Sequence, residues 1–333
     1  MENVLDLSRE VSPQMLQKEI ANGFSWRRST IDPEESTIRI NESTSRRLID
    51  FSASISSFPS NQEDLYPGEL DAPELFTIMN KVKKLIYRGP GFAVIDALPL
   101  KDIGRQEAIN LFWLLGKAVG RPVAQKWDET MLYEVHDSGQ QYGYGVRGSY
   151  TNVELSFHND NAFNTVVPRA VGLLCINPAK LGGASRFCSF YSVHNELLEK
   201  HPKALARLYE PIYWDRQKEH ADGEPIAAYA PIFRWEKNQL HVRANVSLNR
   251  KGYSILGLDI DTRTEDALSI FEECLSNPEF WVELPLESGE LQYLNNQEIA
   301  HYRSEFEDYE EPLRKRLLIR SWHREQGTVN YNG

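Results

Sequence analysis

The sequence predicts a mostly β protein with flanking helices, whose strands form a double-stranded β-helix, or jelly roll. Short apolar runs of strand length recur between residues 92 and 322, and only a few helical stretches separate them. The chain of 333 residues, 41% of them hydrophobic, is also long enough to bury a sizeable core. We therefore expect two antiparallel sheets.

Helical periodicity is confined to a few segments. Apolar residues recur at helical spacing over 75–86, where Asp71 can act as N-cap, and over 103–119, which Gly120 ends. Further helices are predicted at 12–21, at 193–209 with a break at Pro202, and at 264–275 with Thr264 as N-cap. We expect the helices over 75–86 and 103–119 to support the fold rather than to carry the chemistry.

The strand candidates are short apolar or alternating segments. They lie at 92–95, 131–135, 155–160, 171–176, 186–190, 212–214, 227–235, 239–244, 280–284, 290–294 and 314–322. The tripeptide Glu236-Lys237-Asn238 between two of these segments is typical of a β-hairpin, and Glu287-Ser288-Gly289 marks another turn.

The chain divides into two parts by composition. Residues 1–70 are polar and irregular, which predicts an N-terminal arm packed on a jelly-roll domain of residues 71–333. An alternative role for this arm is to close over a substrate. The glycine-rich segment 137–150 directly precedes the strand at 155–160 and is read either as a loop that contacts substrate or as a solvated hairpin tip.

Composition and charge exclude several function classes. The net charge of −11 argues against nucleic acid, because phosphate binding needs clustered Lys and Arg. No apolar run approaches the ~20 residues that span a bilayer, and the N-terminus lacks a secretory signal pattern. The 3 cysteines have no CxxC spacing and are expected to be reduced thiols. We therefore expect a cytoplasmic protein that binds neither membranes nor nucleic acid, and its oligomeric state stays open.

The segment Phe157-His158-Asn159-Asp160 carries the first indication of chemistry. His158 and Asp160 are two residues apart, so on a strand over 155–160 both side chains point to the same face. A distant His301 would complete a triad of two imidazoles and one carboxylate, which suits non-haem Fe(II) that reacts with O2. Alone, a His-X-Asp pattern also fits a surface strand, so its weight depends on the motifs that follow.

The basic segment before residue 322 supplies the second indication. Arg316 and Arg320 are four residues apart and share a face on the predicted strand at 314–322. A buried arginine is destabilising unless it meets an anion. A dicarboxylate cosubstrate is such an anion, and it would be held by a bidentate arginine together with a short hydroxyl side chain.

Together these motifs resemble the TauD/TfdA-like branch of the Fe(II)/2-oxoglutarate-dependent oxygenases, which includes the clavaminate-synthase-like group. The resemblance covers residues 89–324. His158-Asn159-Asp160 is similar to the family's His-X-Asp/Glu and His301-Tyr302-Arg303 to its distal His-X-Arg. Gly182-Gly183-Ala184-Ser185 resembles the Gly-Gly-X-Thr/Ser segment, with Ser in place of the commoner Thr. Arg316 falls where the family places the arginine that binds the cosubstrate's far carboxylate.

The resemblance implies a dioxygenase that uses Fe(II), 2-oxoglutarate and O2. His158, Asp160 and His301 would then hold the iron, while Ser185 and Arg316 would bind 2-oxoglutarate. Since Asp160 is present, hydroxylation of an unactivated C–H bond is the expected outcome, with desaturation or ring closure as alternatives.

The substrate is expected to be a small molecule, an amino acid or an amino-acid-derived intermediate of specialised metabolism. Arg320 and Arg147 are candidates to bind its carboxylate, and Glu154 is a candidate to bind its amine; Arg320 could instead pair with Glu154. A polypeptide side chain as substrate and a non-catalytic binding module remain as rival interpretations.

Overall fold

Two β-sheets form the centre of the protein, which this computed structural model describes over residues 3–8, 14–56, 73–143 and 145–332. Strands and helices are numbered along the chain. In the described part of the chain, the larger sheet comprises β2 (Thr37–Ile38), β3 (Phe92–Ile95), β4 (Arg121–Val123), β5 (Leu132–Val135), β7 (Ala170–Asn177), β15 (Leu291–Asn295) and β18 (Leu317–Arg324). The smaller sheet comprises β6 (Leu155–His158), β9 (Ser185–Ser189), β14 (Trp281–Leu284) and β16 (Ile299–Arg303).

Both sheets are built from antiparallel pairs, with one exception. The larger sheet runs in the order β2-β3-β15-β7-β18-β4, and β5 pairs with β18 beside this path. Only the short β2 pairs in parallel, with β3, among the described strands of this sheet. The smaller sheet has the order β14-β9-β16-β6. This arrangement confirms the predicted mostly β jelly roll.

The two sheets face each other across an apolar core. Phe92 from the larger sheet stacks on Phe187 from the smaller one, with ring centroids 4.8 Å apart. Val171, Val282 and Trp322 belong to the same buried cluster. Each large apolar side chain buried in this way contributes about 1.5–3 kcal/mol to folding, so the contact between the sheets fixes their relative position.

Helices cover the other face of the larger sheet. These are α1 (Glu42–Ser56), α2 (Pro73–Arg88) and α3 (Arg105–Val119). Val82 and Ile86 of α2 and Phe112 of α3 share a buried cluster with Leu174 and Ile319 of the sheet. The larger sheet is therefore buried on both faces, which explains the near-continuous apolar composition of β3 and β7.

A mixed α/β segment lies between β9 and β14 in the chain. Its helices are α4 (Phe190–Lys200), α5 (Pro202–Leu208), α6 (Val246–Ile255) and α7 (Thr262–Ser276). Its strands are β10 (Ile212–Asp215), β11 (Ala227–Ala230), β12 (Phe233–Glu236) and β13 (Gln239–Val242). The antiparallel pair β12–β13 confirms the predicted hairpin. Two short strands, β8 (Leu181–Gly182) and β17 (Phe306–Glu307), pair with each other.

Three local predictions were wrong because tertiary contacts overrode the local pattern. Residues 14–21 form no helix; Ile20 instead exchanges backbone hydrogen bonds with the Asn195 side chain. Asp261, not Thr264, is the N-cap of α7, since its carboxylate accepts a hydrogen bond from the Thr264 amide at 3.0 Å. The predicted strand 227–235 is interrupted between β11 and β12, where Pro231 lies.

Two helices were not predicted. Helix α1 lies in the polar region that was expected to be irregular. Helix α6 contains Gly252, a poor helix former, but a Cβ at this position would lie 2.6 Å from the backbone nitrogen of Trp214. Close packing on β10 thus requires the glycine that weakened the helical pattern. The predicted cap Asp71 lies outside the described residues.

The described part of residues 1–70 contacts the remainder of the chain at several points. Strand β1 (Val4–Asp6) pairs in parallel with β11. The Trp26 indole donates a hydrogen bond to the Pro90 carbonyl at 2.8 Å, and Arg27 pairs with the buried Glu196 at 3.0 Å. The division into an arm and a main domain stays a prediction.

The cysteines are buried, and the helices are too short or too polar to span a membrane in the part of the chain that the structure describes. Cys175, Cys188 and Cys274 are all buried free thiols. Within the described ranges, no helix is both long and apolar enough to cross a membrane.

We predict that Gly172→Ala destabilises the fold by about 1–3 kcal/mol through overpacking. A Cβ at this position in β7 would lie 2.7 Å from both Tyr293 Cε1 and Ser321 Oγ, on the two neighbouring strands. Urea unfolding measures the change, with Gly143→Ala as the control because no atom of the described, non-adjacent residues lies within 4 Å of its added Cβ. Equal unfolding midpoints for the two variants would contradict the packing argument.

Candidate active site

Three predicted metal ligands meet between β6 and β16. His158 and His301 are direct register partners on these strands, and their ring centroids lie 4.3 Å apart. The Asp160 Oδ1 atom is 3.9 Å from His158 Nε2 and 3.7 Å from His301 Nε2. One ligand atom from each residue lies within 4.8 Å of the others, the sole such group of His, Cys, Asp or Glu found in the described residues.

Asp160 reaches this position for a different reason than the sequence indicated. Strand β6 ends at His158, so strand alternation does not orient Asp160. Instead, the backbone of Asp160 exchanges two hydrogen bonds with the Asn296 side chain, at 2.8 and 3.1 Å. These bonds fix the turn after β6 and direct the carboxylate toward the two imidazoles.

Two side chains of β18 hold the Asp160 carboxylate. The indole nitrogen of Trp322 donates a hydrogen bond to Oδ2 at 2.7 Å. Nη1 of Arg320 lies 3.2 Å from Oδ1 and 3.1 Å from Oδ2. Since Trp322 occupies Oδ2, the oxygen that faces the imidazoles is Oδ1, which favours binding of a metal through one oxygen.

The protonation states suit a divalent cation. Burial, together with a smaller effect of the neighbouring His301, lowers the pKa of His158 to about 3, so this imidazole is neutral at physiological pH. Burial alone would raise the pKa of Asp160, but Arg320 and His301 outweigh it and hold this pKa well below its ordinary value. A neutral imidazole and a carboxylate anion are forms that bind metal.

The orientation of one imidazole is fixed by the backbone. His158 Nδ1 lies 2.8 Å from the Ser156 carbonyl oxygen, which directs Nε2 toward Asp160. His301 Nδ1 is buried and meets no hydrogen-bond partner within the described ranges. The donor set fits Fe(II), because a facial arrangement of two His and one carboxylate leaves coordination positions open.

Two buried guanidinium groups lie against the same aromatic ring, that of Phe306. Arg303 ends β16 and Arg316 precedes β18, and the central carbon of each guanidinium lies 4.9 Å from the centroid of the Phe306 ring. Burial lowers the pKa of Arg316 to about 10. The pKa of Arg303 is lowered to about 9 by its burial and, to a smaller extent, by the positive charge of Arg316. Arg316 Nη1 and Arg303 Nε and Nη1 find no acceptor among the described residues.

Buried cations with unpaired N–H groups are costly unless an anion occupies the space beside them. The far carboxylate of 2-oxoglutarate is such an anion, so these residues fit the cosubstrate. Arg303 was quoted in the sequence motif without a role, and its burial and open donors suggest that it shares in this site.

The Gly-Gly segment allows the chain to pass close to Arg316. Gly182 and Gly183 have φ values of 76° and 71°, in the left-handed region that favours glycine. A Cβ on Gly183 would lie 3.0 Å from Arg316 Nε. Ser185 follows as the buried first residue of β9, opposite Arg303 of β16. Contact between Ser185 and the cosubstrate stays a prediction.

A polar cavity of about 230 Å³ opens beside the metal ligands. Its lining includes His158 and Asp160 together with all three predicted substrate-binding residues, Arg147, Glu154 and Arg320. The lining does not include Ser185 or Arg316. This cavity therefore joins two of the predicted metal ligands to the predicted substrate-binding residues.

The substrate-side charges are already partly paired. Arg147 forms a bidentate ion pair with Glu219 and also donates to the Gln125 carbonyl at 3.1 Å. Arg320 pairs with Asp160 rather than with Glu154, and its Nε donates to Gln125 Oε1 at 2.8 Å. Glu154 is exposed beside the Tyr302 hydroxyl.

Several residues of the site were not identified from the sequence. Gln125, Glu219 and Asn296 come from segments without a recognisable motif, and no sequence signal marks them. Trp322 could have been found, because it lies two residues after Arg320 and therefore on the same face of β18.

A comparison with protein families agrees with this geometry. Residues 62–322 match the sequence model described as Taurine catabolism dioxygenase TauD, TfdA family. The chain belongs to this family. It is therefore an Fe(II)/2-oxoglutarate-dependent oxygenase, as the motifs predicted, and its cofactor set is Fe(II), 2-oxoglutarate and O2.

Individual relatives are similar over most of their length. FR-33289 synthase from Streptomyces rubellomurinus (strain ATCC 31215) is 25% identical over 315 residues, which cover 93% of this chain and 91% of the relative. An asparagine oxygenase solved with Fe(II), 2S,3S-3-hydroxyasparagine and succinate has a TM-score of 0.66 at 15% identity. The match covers 89% of this chain and 94% of the asparagine oxygenase chain. The non-heme iron oxygenase OrfP, solved with Fe and alpha-ketoglutaric acid, has a TM-score of 0.61 at 13% identity, with coverages of 87% and 94%. These structures confirm the fold.

We predict that Arg316→Lys weakens binding of 2-oxoglutarate about 10- to 100-fold, because lysine keeps the charge but loses the bidentate geometry. Calorimetric titration of the Mn(II)-loaded protein with 2-oxoglutarate measures the affinity. Arg314→Lys, an exposed change two residues away, is the matched control and should bind normally. An Arg316→Lys protein with unchanged affinity would place the cosubstrate elsewhere.

Proposed function

We propose that this protein hydroxylates an unactivated C–H bond of a small amino acid or of an amino-acid-derived intermediate of specialised metabolism. The observation that carries the proposal is the cavity next to His158 and Asp160, which has charges of both signs on its walls. At about 230 Å³ it is smaller than the ~300–1,000 Å³ pockets that enclose drug-sized ligands. Such a space favours a compact, zwitterionic substrate over a folded polypeptide.

The charged residues of the cavity have complementary roles in this proposal. Arg320 would bind the substrate's carboxylate and Glu154 its ammonium group. Arg147 is paired with Glu219, so it would shape the cavity wall. Two of the similar solved structures support this substrate class, since they hold 2S,3S-3-hydroxyasparagine and (3S)-hydroxy-L-Arg.

The protein's part in the reaction is positioning. When bound, iron together with 2-oxoglutarate and O2 supplies the oxidising power for cleavage of the C–H bond. His158, Asp160 and His301 would hold the iron, and Trp322 and Arg320 would keep the carboxylate in place. Arg316 and Ser185 would fix the far carboxylate of the diacid.

The cavity walls would then select which C–H bond lies near the metal, and this placement decides the product. Desaturation or ring closure would begin at the same bond and remains the alternative outcome.

Two further assignments belong to this proposal. Residues 1–70 would form an arm packed on the oxygenase domain of residues 71–333. We place the protein in the cytoplasm, where a reducing environment would keep its three free cysteines reduced.

The test is succinate formation from 2-oxoglutarate with Fe(II), measured with and without each of a set of L-amino acids and their simple derivatives. We predict that at least one candidate stimulates succinate formation severalfold and gains one oxygen atom by mass spectrometry. Asp160→Ala is the control and should abolish both signals. If the protein binds 2-oxoglutarate but no candidate stimulates turnover, the proposed substrate class is wrong.

A further inference from the structure

The C-terminal segment 325–332 lies beyond the part of the chain that matches the family and folds back against the active-site side. The Ala124 amide donates a hydrogen bond to the Val329 carbonyl at 2.8 Å. The buried guanidinium of Arg324 donates to the carbonyls of Asn330 and Tyr331, both at 2.8 Å. The segment is thus anchored through its backbone.

Tyr331 extends from this anchored segment into the active site. Its side chain is buried, with 2% relative exposure, and it lines the same cavity as His158 and Asp160. Its ring stacks on Trp322, with centroids 6.4 Å apart and an interplanar angle of 21°. Trp322 is the residue whose indole donates a hydrogen bond to Asp160. Tyr331 therefore closes the cavity beside the residue that positions a predicted metal ligand.

The hydroxyl group of Tyr331 has one free hydrogen-bonding function. It donates its proton to Asn161 Oδ1 at 3.2 Å, which leaves the oxygen lone pairs as acceptors. Charged neighbours surround it, but Arg147 is paired with Glu219 and Arg320 with Asp160. The third arginine nearby, Arg216, lies 3.6 Å from Glu224. The oxygen is therefore an acceptor in a locally neutral environment.

We propose that Tyr331 is a specificity-determining residue that closes the substrate cavity and accepts a hydrogen bond from an N–H or O–H donor of the substrate. This inference rests on the proposed function, since it places the substrate in the cavity beside Asp160. The segment itself is held through backbone carbonyls by Arg324, so the hydroxyl group is not needed to anchor it.

The kinetic test uses Tyr331→Phe, which keeps the ring and removes the hydroxyl. For the amino acid that stimulates turnover, KM should rise about three- to tenfold while kcat changes less than twofold, as expected for one lost hydrogen bond. The KM for 2-oxoglutarate should not change. Gln326→Ala, an exposed position in the same segment, is the matched control. An unchanged substrate KM in Tyr331→Phe overturns the recognition role.

A second measurement does not depend on the substrate. Hydrogen–deuterium exchange of residues 157–163 should accelerate in Tyr331→Ala, which opens the cavity, and should stay at the wild-type rate in Tyr331→Phe and Gln326→Ala. Wild-type exchange in Tyr331→Ala overturns the closing role. If no candidate amino acid is turned over, the proposed function fails, and the exchange rates alone decide whether Tyr331 closes the cavity.

Discussion

The site depends on the contact of the Asp160 carboxylate with Trp322 and Arg320. These two residues belong to β18 of the larger sheet, whereas His158 and His301 belong to β6 and β16 of the smaller one. The packing of the two sheets therefore sets the distance between the carboxylate and the imidazoles. Because the sheet core is close-packed, this distance cannot vary freely, and the fold itself preorganises the three predicted metal ligands.

The buried arginines of the site form two chemically different groups. Arg316 and Arg303 have unpaired buried donors, which require an anion that the described chain does not supply. Arg147 and Arg320 already have acidic partners, Glu219 for Arg147 and Asp160 for Arg320. A diacid cosubstrate suits the first group, and a substrate that carries both charges suits the cavity lined by the second.

The sequence predicted the residues whose chemistry follows from local spacing. The His-X-Asp pattern and His301 identified the triad that the structure brings together, but the reason given for Asp160 was wrong because β6 ends at His158. Asn296 and Trp322, which position Asp160, are 136 and 162 residues away from it in the chain. Contacts over such separations leave no periodic signal in the sequence. Helix α6 was also missed, because close packing requires a glycine within it and glycine is a poor helix former. The fold class could be predicted from the sequence because it depends on many strands at once. Wrong bounds for individual strands or helices therefore did not change it.

The most direct test of this account is a crystal structure grown without oxygen in the presence of Fe(II) and 2-oxoglutarate. The account predicts one metal ion about 2.0–2.3 Å from His158 Nε2, Asp160 Oδ1 and His301 Nε2, the usual range for such ligands of a divalent metal. The cosubstrate's far carboxylate should lie against the guanidinium of Arg316. A metal bound away from these three atoms, or a diacid that leaves Arg316 unpaired, would contradict it.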